Sequence, residues 1–197
     1  DSFNDMQVLT PMRKGQLGVY ELNKYLQETL NPPQKGKAEK EFKNYTLRQG
    51  DKVMQIKNNY NMEWKLYENG IQTDEGLGVF NGDCGLVEKI DNKNETVTVM
   101  FDDGKKVTYD FIQLDELELA YAVTIHKSQG SEYPVVIIPL ISGPPMLLSR
   151  NLLYTAVTRA KKLAVIVGIP DTIKRMVENN REVNRYSTLD LRLKNIY

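Results

Sequence analysis

Hydrophobic and polar positions change their spacing twice along this chain of 197 residues. Residues 7–10 form a short apolar run that is typical of a β-strand, and the segment 19–30 has helical spacing. Its apolar stripe consists of Val19, Leu22, Leu26 and Leu30. Two prolines after Asn31 are expected to end this helix, so the chain begins with a strand followed by a helix.

Between residues 46 and 114 the spacing becomes that of short β-strands. Val97, Val99 and Phe101 alternate with Thr98 and Met100, and a second alternating run follows Asp103-Gly104. An Asp-Gly pair between two such runs predicts a hairpin with a type I′ turn. About seventy residues of small strands indicate a compact, barrel-like all-β unit with a core of its own.

The pattern then returns to that of an α/β domain. The runs 135–140 and 163–167 are short, β-branched and nearly all apolar, as expected of buried parallel strands. A helical stripe lies between them and consists of Leu152, Leu153, Ala156, Val157 and Ala160. A last helix is expected near 187–196. We therefore predict an α/β domain formed by residues 1–45 and 115–197, interrupted by an all-β insert at 46–114.

Composition narrows the classes of protein further. The net charge is zero, but 8 basic and 12 acidic residues give the segment 46–114 a charge of −4, and the remaining 18 and 14 give +4. One cysteine excludes an internal disulfide framework, and with one histidine a Cys/His zinc site is not expected. Neither a membrane-length apolar run nor a signal-peptide core is present, so we expect a cytoplasmic protein. Since the chain has no initiator Met, we expect it to be part of a longer protein.

The segment NLLYTAVTRAKK places four polar residues on one helical face. They are Thr155, Thr158, Arg159 and Lys162. A guanidinium held on a rigid helix beside a parallel sheet is well suited to bind phosphate, because it is planar, always charged and able to bond bidentately. The same pattern is also typical of a solvated helix face, and the spacing alone leaves both interpretations open.

The segment TIHKSQGSEY offers hydroxyl, amide and backbone N–H groups around Gly130, just before a buried strand. Such groups can hold phosphate or ribose oxygens. Arg13 and Lys14 lie at a similar junction between a short strand and a helix. Alternatively, His126 is an ordinary structural histidine, Gly130 a turn residue and the two cations ordinary loop residues.

Together these segments resemble the C-terminal motor half of a superfamily 1 DNA helicase of the RecD/TraA type. LTPMRKGQLGVYELN resembles motif IV, TIHKSQGSEYPVVIIP motif V and LYTAVTRAKK motif VI of that family. Order and spacing agree over nearly the whole chain. The resemblance implies a RecA-like parallel-sheet domain interrupted by a small SH3-like β insert. It also implies an ATP-hydrolysing parent that unwinds DNA in repair or recombination, similar to the exodeoxyribonuclease V alpha subunit.

The resemblance also implies roles for individual residues. Arg159 matches the arginine finger of motif VI, and Arg13 matches a motif IV arginine that reaches the terminal phosphate. Gly130 and Glu132 match positions near the nucleotide. Positions near the translocated DNA strand are matched by Thr124, His126 and Ser128.

No G-x-x-x-x-G-K-[ST] loop occurs in the sequence, although such a loop is needed to cradle phosphates and magnesium. Asp115 and Glu116 resemble a metal-holding pair, but at the exit of the β insert they are better interpreted as polar strand-end residues. ATP and Mg²⁺ are therefore expected to bind mainly to a preceding RecA-like domain, with no metal ligands in this chain. Single-stranded DNA, that domain and helicase–nuclease subunits are the implied partners.

A different class of function stays open at this stage. The chain could be a non-catalytic adaptor whose β module binds a protein partner. The −4 charge of residues 46–114 permits this alternative, because nucleic-acid-binding modules are usually basic. Salt-dependent binding of single-stranded DNA distinguishes the two hypotheses.

Overall fold

The computed structural model describes residues 5–43, 45–141, 143–144, 146–180 and 194. Thirteen strands, three α-helices and one 3-10 helix occur in these residues. In chain order they are β1 (Met6–Thr10), α1 (Val19–Leu30), β2 (Glu39–Phe42), β3 (Tyr45–Arg48), β4 (Lys52–Gln55), β5 (Asn59–Glu68), β6 (Ile71–Val79), β7 (Cys84–Asp91), β8 (Thr96–Phe101), β9 (Lys106–Asp110), the 3-10 helix Phe111–Glu116, β10 (Leu117–Leu119), β11 (Ala122–Thr124), β12 (Tyr133–Leu140), α2 (Arg150–Val157), β13 (Ala160–Gly168) and α3 (Pro170–Glu178).

One sheet has four parallel strands in the order β11-β1-β12-β13. Strands from the two ends of the described chain therefore lie side by side, with everything between β1 and β11 excluded from this sheet. Its central residues, such as Leu9, Val136 and Ile138, are fully buried. They pack with Leu152, Ala156 and other residues of α2 and α3 in one apolar cluster. This sheet is the predicted RecA-like unit.

A second sheet has seven antiparallel strands in the order β10-β4-β7-β8-β9-β5-β6. In β8 the buried residues alternate with partly exposed ones, as the sequence pattern predicts. Val97, Val99, Val107 and Tyr109 are fully buried in a cluster separate from that of the parallel sheet. The predicted fold class, a RecA-like parallel sheet interrupted by an all-β insert, is thus confirmed.

The predicted hairpin joins β8 and β9, but its turn is not of type I′. Gly104 has a φ of 86°, whereas Asp103 does not have a positive φ. The Gly104 N–H bonds to the Phe101 carbonyl, and the Phe101 N–H bonds to the carbonyl of Lys105. This is a type I turn followed by a glycine bulge, the usual three-residue alternative. The predicted hairpin is thus confirmed, and the predicted turn type was wrong because only one of the two residues, Gly104, has a positive φ.

Helix α1 is placed as predicted, but of its apolar stripe only Val19 is buried, and the other two buried residues are polar. The buried residues are Val19, Asn23 and Gln27, whereas Leu30 is exposed. The Asn23 amide donates to the carbonyls of Leu119 and Ala122 at 2.9 and 3.0 Å, and its Oδ1 accepts from the Ala122 N–H at 2.8 Å. The helix packs here against backbone between β10 and β11. Polar side chains can hydrogen-bond to the N–H and C=O groups of that backbone, whereas leucines cannot.

A buried carboxylate joins α1 to the seven-stranded sheet. Asp51 is fully buried and accepts hydrogen bonds from the side chains of Gln27, Asn31 and Tyr121 at 2.6, 2.7 and 2.7 Å. The backbone N–H of Arg48 adds a fourth at 2.6 Å. Burial raises the pKa of Asp51, and the four hydrogen bonds oppose that rise. Residues before, within and after the predicted insert therefore meet at one carboxylate.

Two features near the end of the described chain differ from the sequence-based picture. Helix α2 ends at Val157, so Lys162 lies in β13 and not on the polar face of the helix. β13 was expected to be buried, but Leu163 and Val167 are more than half exposed. The reason is its position at the edge of the sheet, where it pairs with β12 alone among the described strands.

The domain boundaries at 46 and 114 stay a prediction. The structure assigns β10, which starts at Leu117, to the seven-stranded sheet through its pairing with β4. It also pairs β2 with β3 in a separate two-stranded sheet that spans the first boundary. The helix expected near 187–196 lies outside the described residues, apart from Lys194.

Candidate functional site

The predicted site residues lie at opposite edges of the parallel sheet. Segment 125–132 starts at the carboxyl end of β11 and reaches the amino end of β12. Arg13 also follows a carboxyl end, that of β1, whereas Arg159 precedes the amino end of β13. We call the side of the sheet at which the strands end the carboxyl edge, and the side at which they begin the amino edge. Segment 125–132 joins the two.

At the amino edge, Arg159 is held by the two segments that resemble motifs V and VI. Its Nε and Nη1 each donate to a backbone carbonyl at 3.2 Å, that of Thr155 in α2 and that of Ser131 in segment 125–132. Its Nη2 donates to the Thr158 hydroxyl at 3.4 Å. No ion pair joins Arg159 to a carboxylate in the part of the chain that the structure describes. The guanidinium is oriented by neutral acceptors, and its charge is left unneutralised.

Gly130 and Glu132 lie in the same stretch as Ser131 and are both exposed. Gly130 has a φ of 89°, which strains any other residue at this position. Glu132 Oε2 lies 3.3 Å from the Nζ of Lys161, and both side chains are more than half exposed. Such a pair contributes little stability, and its members are free to exchange partners. The structure therefore brings Arg159, Gly130 and Glu132 together at one edge.

A side chain of the seven-stranded sheet reaches the parallel sheet, a contact that no pattern in the sequence predicts. Lys52 of β4 is buried, and its Nζ donates to the Met6 carbonyl of β1 at 3.3 Å.

Burial lowers the pKa of Lys52 and raises the pKa of Cys84 to about 12. Burial likewise raises the pKa of Tyr133 to about 12. The thiol and the phenol therefore stay protonated at neutral pH, and neither is an activated nucleophile.

At the carboxyl edge, the three residues predicted to contact DNA differ in their exposure. His126 is exposed. Thr124 is only 8% exposed, and its hydroxyl accepts the Lys127 N–H at 3.2 Å. Ser128 is fully buried and donates to the Ile125 carbonyl at 2.8 Å. In this conformation Thr124 and Ser128 shape the turn, and His126 is the member of the set that a ligand can reach.

Arg13 also lies at the carboxyl edge, where its Nη2 is 3.8 Å from the Oε2 of Glu118. Lys127 donates to the same Oε2 at 2.9 Å. Lys127 belongs to the segment singled out from the sequence, but neither Lys127 nor Glu118 received a role there, because nothing in the spacing shows that residues 13, 118 and 127 meet. The two cations and the carboxylate line a small recess together with Thr124.

Arg13 and Arg159 are not brought together. The register places Arg13 beyond the level of Pro139 on β12, whereas the carbonyl of Arg159 accepts the Tyr133 N–H at 2.8 Å. The six residue steps from Tyr133 to Pro139 correspond to about 20 Å at the usual rise along a strand. The register thus places the two arginines at opposite edges of the parallel sheet. The role carried over to Arg13, contact with the terminal phosphate, stays a prediction.

The side chains of Asp115 and Glu116 are paired with other side chains of this chain. Asp115 forms an ion pair with Lys57, and Glu116 accepts from the amides of Gln55 and Asn59 at 2.9 and 3.1 Å. They lie in the 3-10 helix before β10, with no cluster of metal-ligating side chains around them or elsewhere in the described residues.

No described helix has the length and apolar character needed to cross a membrane.

Comparison with known proteins identifies both units. Residues 22–101 match the family described as the ATP-dependent RecD-like DNA helicase SH3 domain, and residues 119–167 match the UvrD-like helicase C-terminal domain. The ATP-dependent RecD2 DNA helicase of Deinococcus radiodurans is 37% identical over 185 residues, which cover 94% of this chain and 23% of that protein. The RecBCD enzyme subunit RecD of Mycolicibacterium smegmatis is 38% identical over 121 residues, which cover 61% of this chain and 21% of that protein.

Solved structures show the same fold. A Pif1 helicase from Bacteroides, crystallised with ADP-AlF3 and single-stranded DNA, matches all of this chain and 46% of its own chain with a TM-score of 0.53 at 18% identity. A structure of two Pif1 helicases on forked DNA gives a TM-score of 0.54 at 19% identity, covering 98% of this chain and 44% of that one. The chain spans about a quarter of the curated relatives that it matches. The chain belongs to the RecD-like helicases, and it carries their SH3 domain and a UvrD-like C-terminal helicase domain.

Proposed function

We propose that this chain is the second motor domain of an ATP-dependent DNA helicase that translocates on single-stranded DNA and unwinds duplex in recombination and repair. The observation that carries the proposal is the oriented, unneutralised guanidinium of Arg159 at the amino edge. Relatives named as ATP-dependent DNA helicases support it. The protein would act in the cytoplasm, in some organisms as a subunit of a helicase–nuclease complex, as the name of the RecD relatives suggests.

The geometry of Arg159 suits phosphoryl transfer. A guanidinium has five N–H donors, and three of them bond to Thr155, Ser131 and Thr158. Two donors remain for a ligand, enough for bidentate contact with a phosphate. In the transfer step charge is spread over the phosphoryl oxygens, and a positioned arginine stabilises it. Gly130 and Glu132, beside Ser131, would contact the rest of the nucleotide.

The phosphate platform would come from another domain. The sequence holds no P-loop, and the described residues contain no metal-ligating cluster. An unneutralised arginine without a phosphate loop fits one wall of a nucleotide cleft. A preceding RecA-like domain would hold the ATP phosphates and Mg²⁺, and the metal would neutralise charge on the phosphate oxygens. Arg159 would reach across the cleft from this chain.

Segment 125–132 would couple ATP to DNA. It carries His126 at the carboxyl edge and Ser131 at the amino edge, where the Ser131 carbonyl holds Arg159. A DNA strand that contacts His126 would press on the same short segment that positions the guanidinium. Closure of the cleft and movement along DNA would then be linked through a single stretch of backbone.

Replacing His126 by alanine in the full-length protein is expected to reduce the stimulation of ATP hydrolysis by single-stranded DNA, while the basal rate is retained. His126 is exposed, so its loss leaves the core intact. Thr124→Ser is the matched control, because it keeps the hydroxyl that accepts the Lys127 N–H. Steady-state ATPase rates over a range of oligonucleotide concentrations measure the effect. Full stimulation combined with weaker nucleotide binding would place His126 on the ATP side instead.

A further inference from the structure

We propose that Glu118 acts as an acidic gate over a phosphate-binding pair formed by Arg13 and Lys127. The carboxylate holds both cations until a backbone phosphate of single-stranded DNA replaces it. The inference rests on the proposed function, because it assumes that the carboxyl edge faces DNA. It adds three residues to that edge and assigns them a regulatory contact.

The three side chains come from three separate parts of the fold. Glu118 lies in β10 of the seven-stranded sheet, Arg13 in the segment after β1, and Lys127 in the segment after β11. Both cations approach the same carboxylate oxygen, Oε2, at 3.8 and 2.9 Å. Arginine and lysine are the side chains that commonly bind phosphate oxygens. The carboxylate therefore occupies the place that a phosphate would take.

The ion pairs of Glu118 with Arg13 and Lys127 are partly open to solvent, so a phosphate can replace the carboxylate. The side chain of Arg13 is 54% exposed, and those of Glu118 and Lys127 are 28% and 24% exposed. Ion pairs open to solvent are worth little, so a phosphate that enters the recess exchanges one anion for another at small cost. In the described residues neither Arg13 nor Lys127 has another ion-pair partner. The affinity of this edge for phosphate is therefore controlled by Glu118.

The gate also links the two sheets. Glu118 is paired with Met54 of β4 in the seven-stranded sheet, whereas its two cationic partners follow strands of the parallel sheet. A phosphate that takes over Arg13 and Lys127 releases the β10 side chain from both. Binding of DNA would thus weaken one tie between the SH3-like unit and the motor domain.

The test is binding of a fluorescein-labelled oligo-dT strand to the 197-residue chain, followed by fluorescence anisotropy across a range of salt concentrations. Glu118→Gln is expected to tighten binding about fivefold, the factor that corresponds to an exposed ion pair of ordinary strength. Lys127→Gln is expected to weaken binding and to reduce the slope of log K against log salt by about 0.7, the value for one phosphate contact on a single strand.

Glu88→Gln is the matched control. Glu88 forms an ion pair with Lys106 at 2.8 Å between strands β7 and β9, and its side chain is 42% exposed, more than that of Glu118. The change removes the same charge from a different surface, so it measures the effect of net charge alone. The tightening by Glu118→Gln should also disappear when Arg13 and Lys127 are both replaced by glutamine, because the carboxylate acts through them.

The outcomes separate the gate from the function on which it rests. Salt-dependent binding by the unaltered chain, with equal effects of Glu118→Gln and Glu88→Gln, would overturn the gate and leave the DNA-binding edge intact. Absence of salt-dependent binding to the strand would overturn both. Circular dichroism of each variant shows whether the fold is retained, so that a lost effect is not mistaken for unfolding.

Discussion

Replacing Arg159 by alanine in the full-length protein should lower the rate of ATP turnover by about 10³–10⁵-fold, the range by which arginine fingers accelerate phosphoryl transfer. Binding of ATP should change little, because the guanidinium acts on charge that develops only in the transition state. The structure gives the physical reason, since two of the donors of Arg159 are left for a ligand once its three protein bonds are made. Steady-state ATPase assays with saturating single-stranded DNA measure the rate, and a fluorescent nucleotide measures the affinity.

Two further variants show whether the effect belongs to the guanidinium. Arg159→Lys keeps the charge and loses the planar fork, so most of the rate should still be lost. Lys162→Ala removes a nearby exposed cation that the structure places in β13, away from the helix face. ATP turnover should stay close to normal in Lys162→Ala. If Arg159→Ala behaves like Lys162→Ala, Arg159 is an ordinary cation at the end of a helix.

The second large effect concerns stability. Replacing Asp51 by alanine should lower the free energy of unfolding by about 3–4 kcal/mol, because four buried donors lose their acceptor at once. Those donors belong to Gln27, Asn31, Tyr121 and the backbone of Arg48, so the damage reaches α1, strand β3 and the connection between β10 and β11. Urea denaturation of the 197-residue chain, followed by circular dichroism, measures the loss. The fluorescence of Trp64, the single tryptophan, follows the seven-stranded sheet separately.

Asp51→Asn and an exposed carboxylate serve as comparisons. Asp51→Asn keeps one acceptor oxygen and should lose less stability than Asp51→Ala. Glu63→Ala, on the exposed side of β5, should be nearly neutral, as substitutions at free surface positions usually are. If the two alanine variants are equally stable, the carboxylate does not hold the SH3-like unit to α1.

The spacing of apolar residues predicted most elements, because strand and helix periods depend only on local sequence. It failed where burial depends on a neighbour. Asn23 is buried because α1 packs against the backbone near Ala122 and hydrogen-bonds to it, and no pattern within the helix shows that. Leu163 is exposed because β13 lies at the edge of its sheet, and strand order cannot be read from the strand itself.

The candidate site was predictable only in part. Arg159, Gly130 and Glu132 were assigned to one site through the resemblance, and the structure brings them together. Arg13 was assigned to that site as well, yet the register of β1 and β12 places it at the opposite edge of the sheet from Arg159. The pairing of Arg13 with Glu118 depends on how two sheets meet, which has no signature in sequence.

If this chain is one wall of a nucleotide cleft, it needs the other wall for chemistry. The decisive measurement is ATP hydrolysis by the isolated 197-residue chain in the presence of Mg²⁺ and single-stranded DNA. We expect no turnover above background for the chain alone, and turnover stimulated by DNA for the full-length protein under the same conditions. Turnover by the chain alone that Arg159→Ala abolishes would show that the chain contains a complete active site, and the proposed half-site would then be wrong.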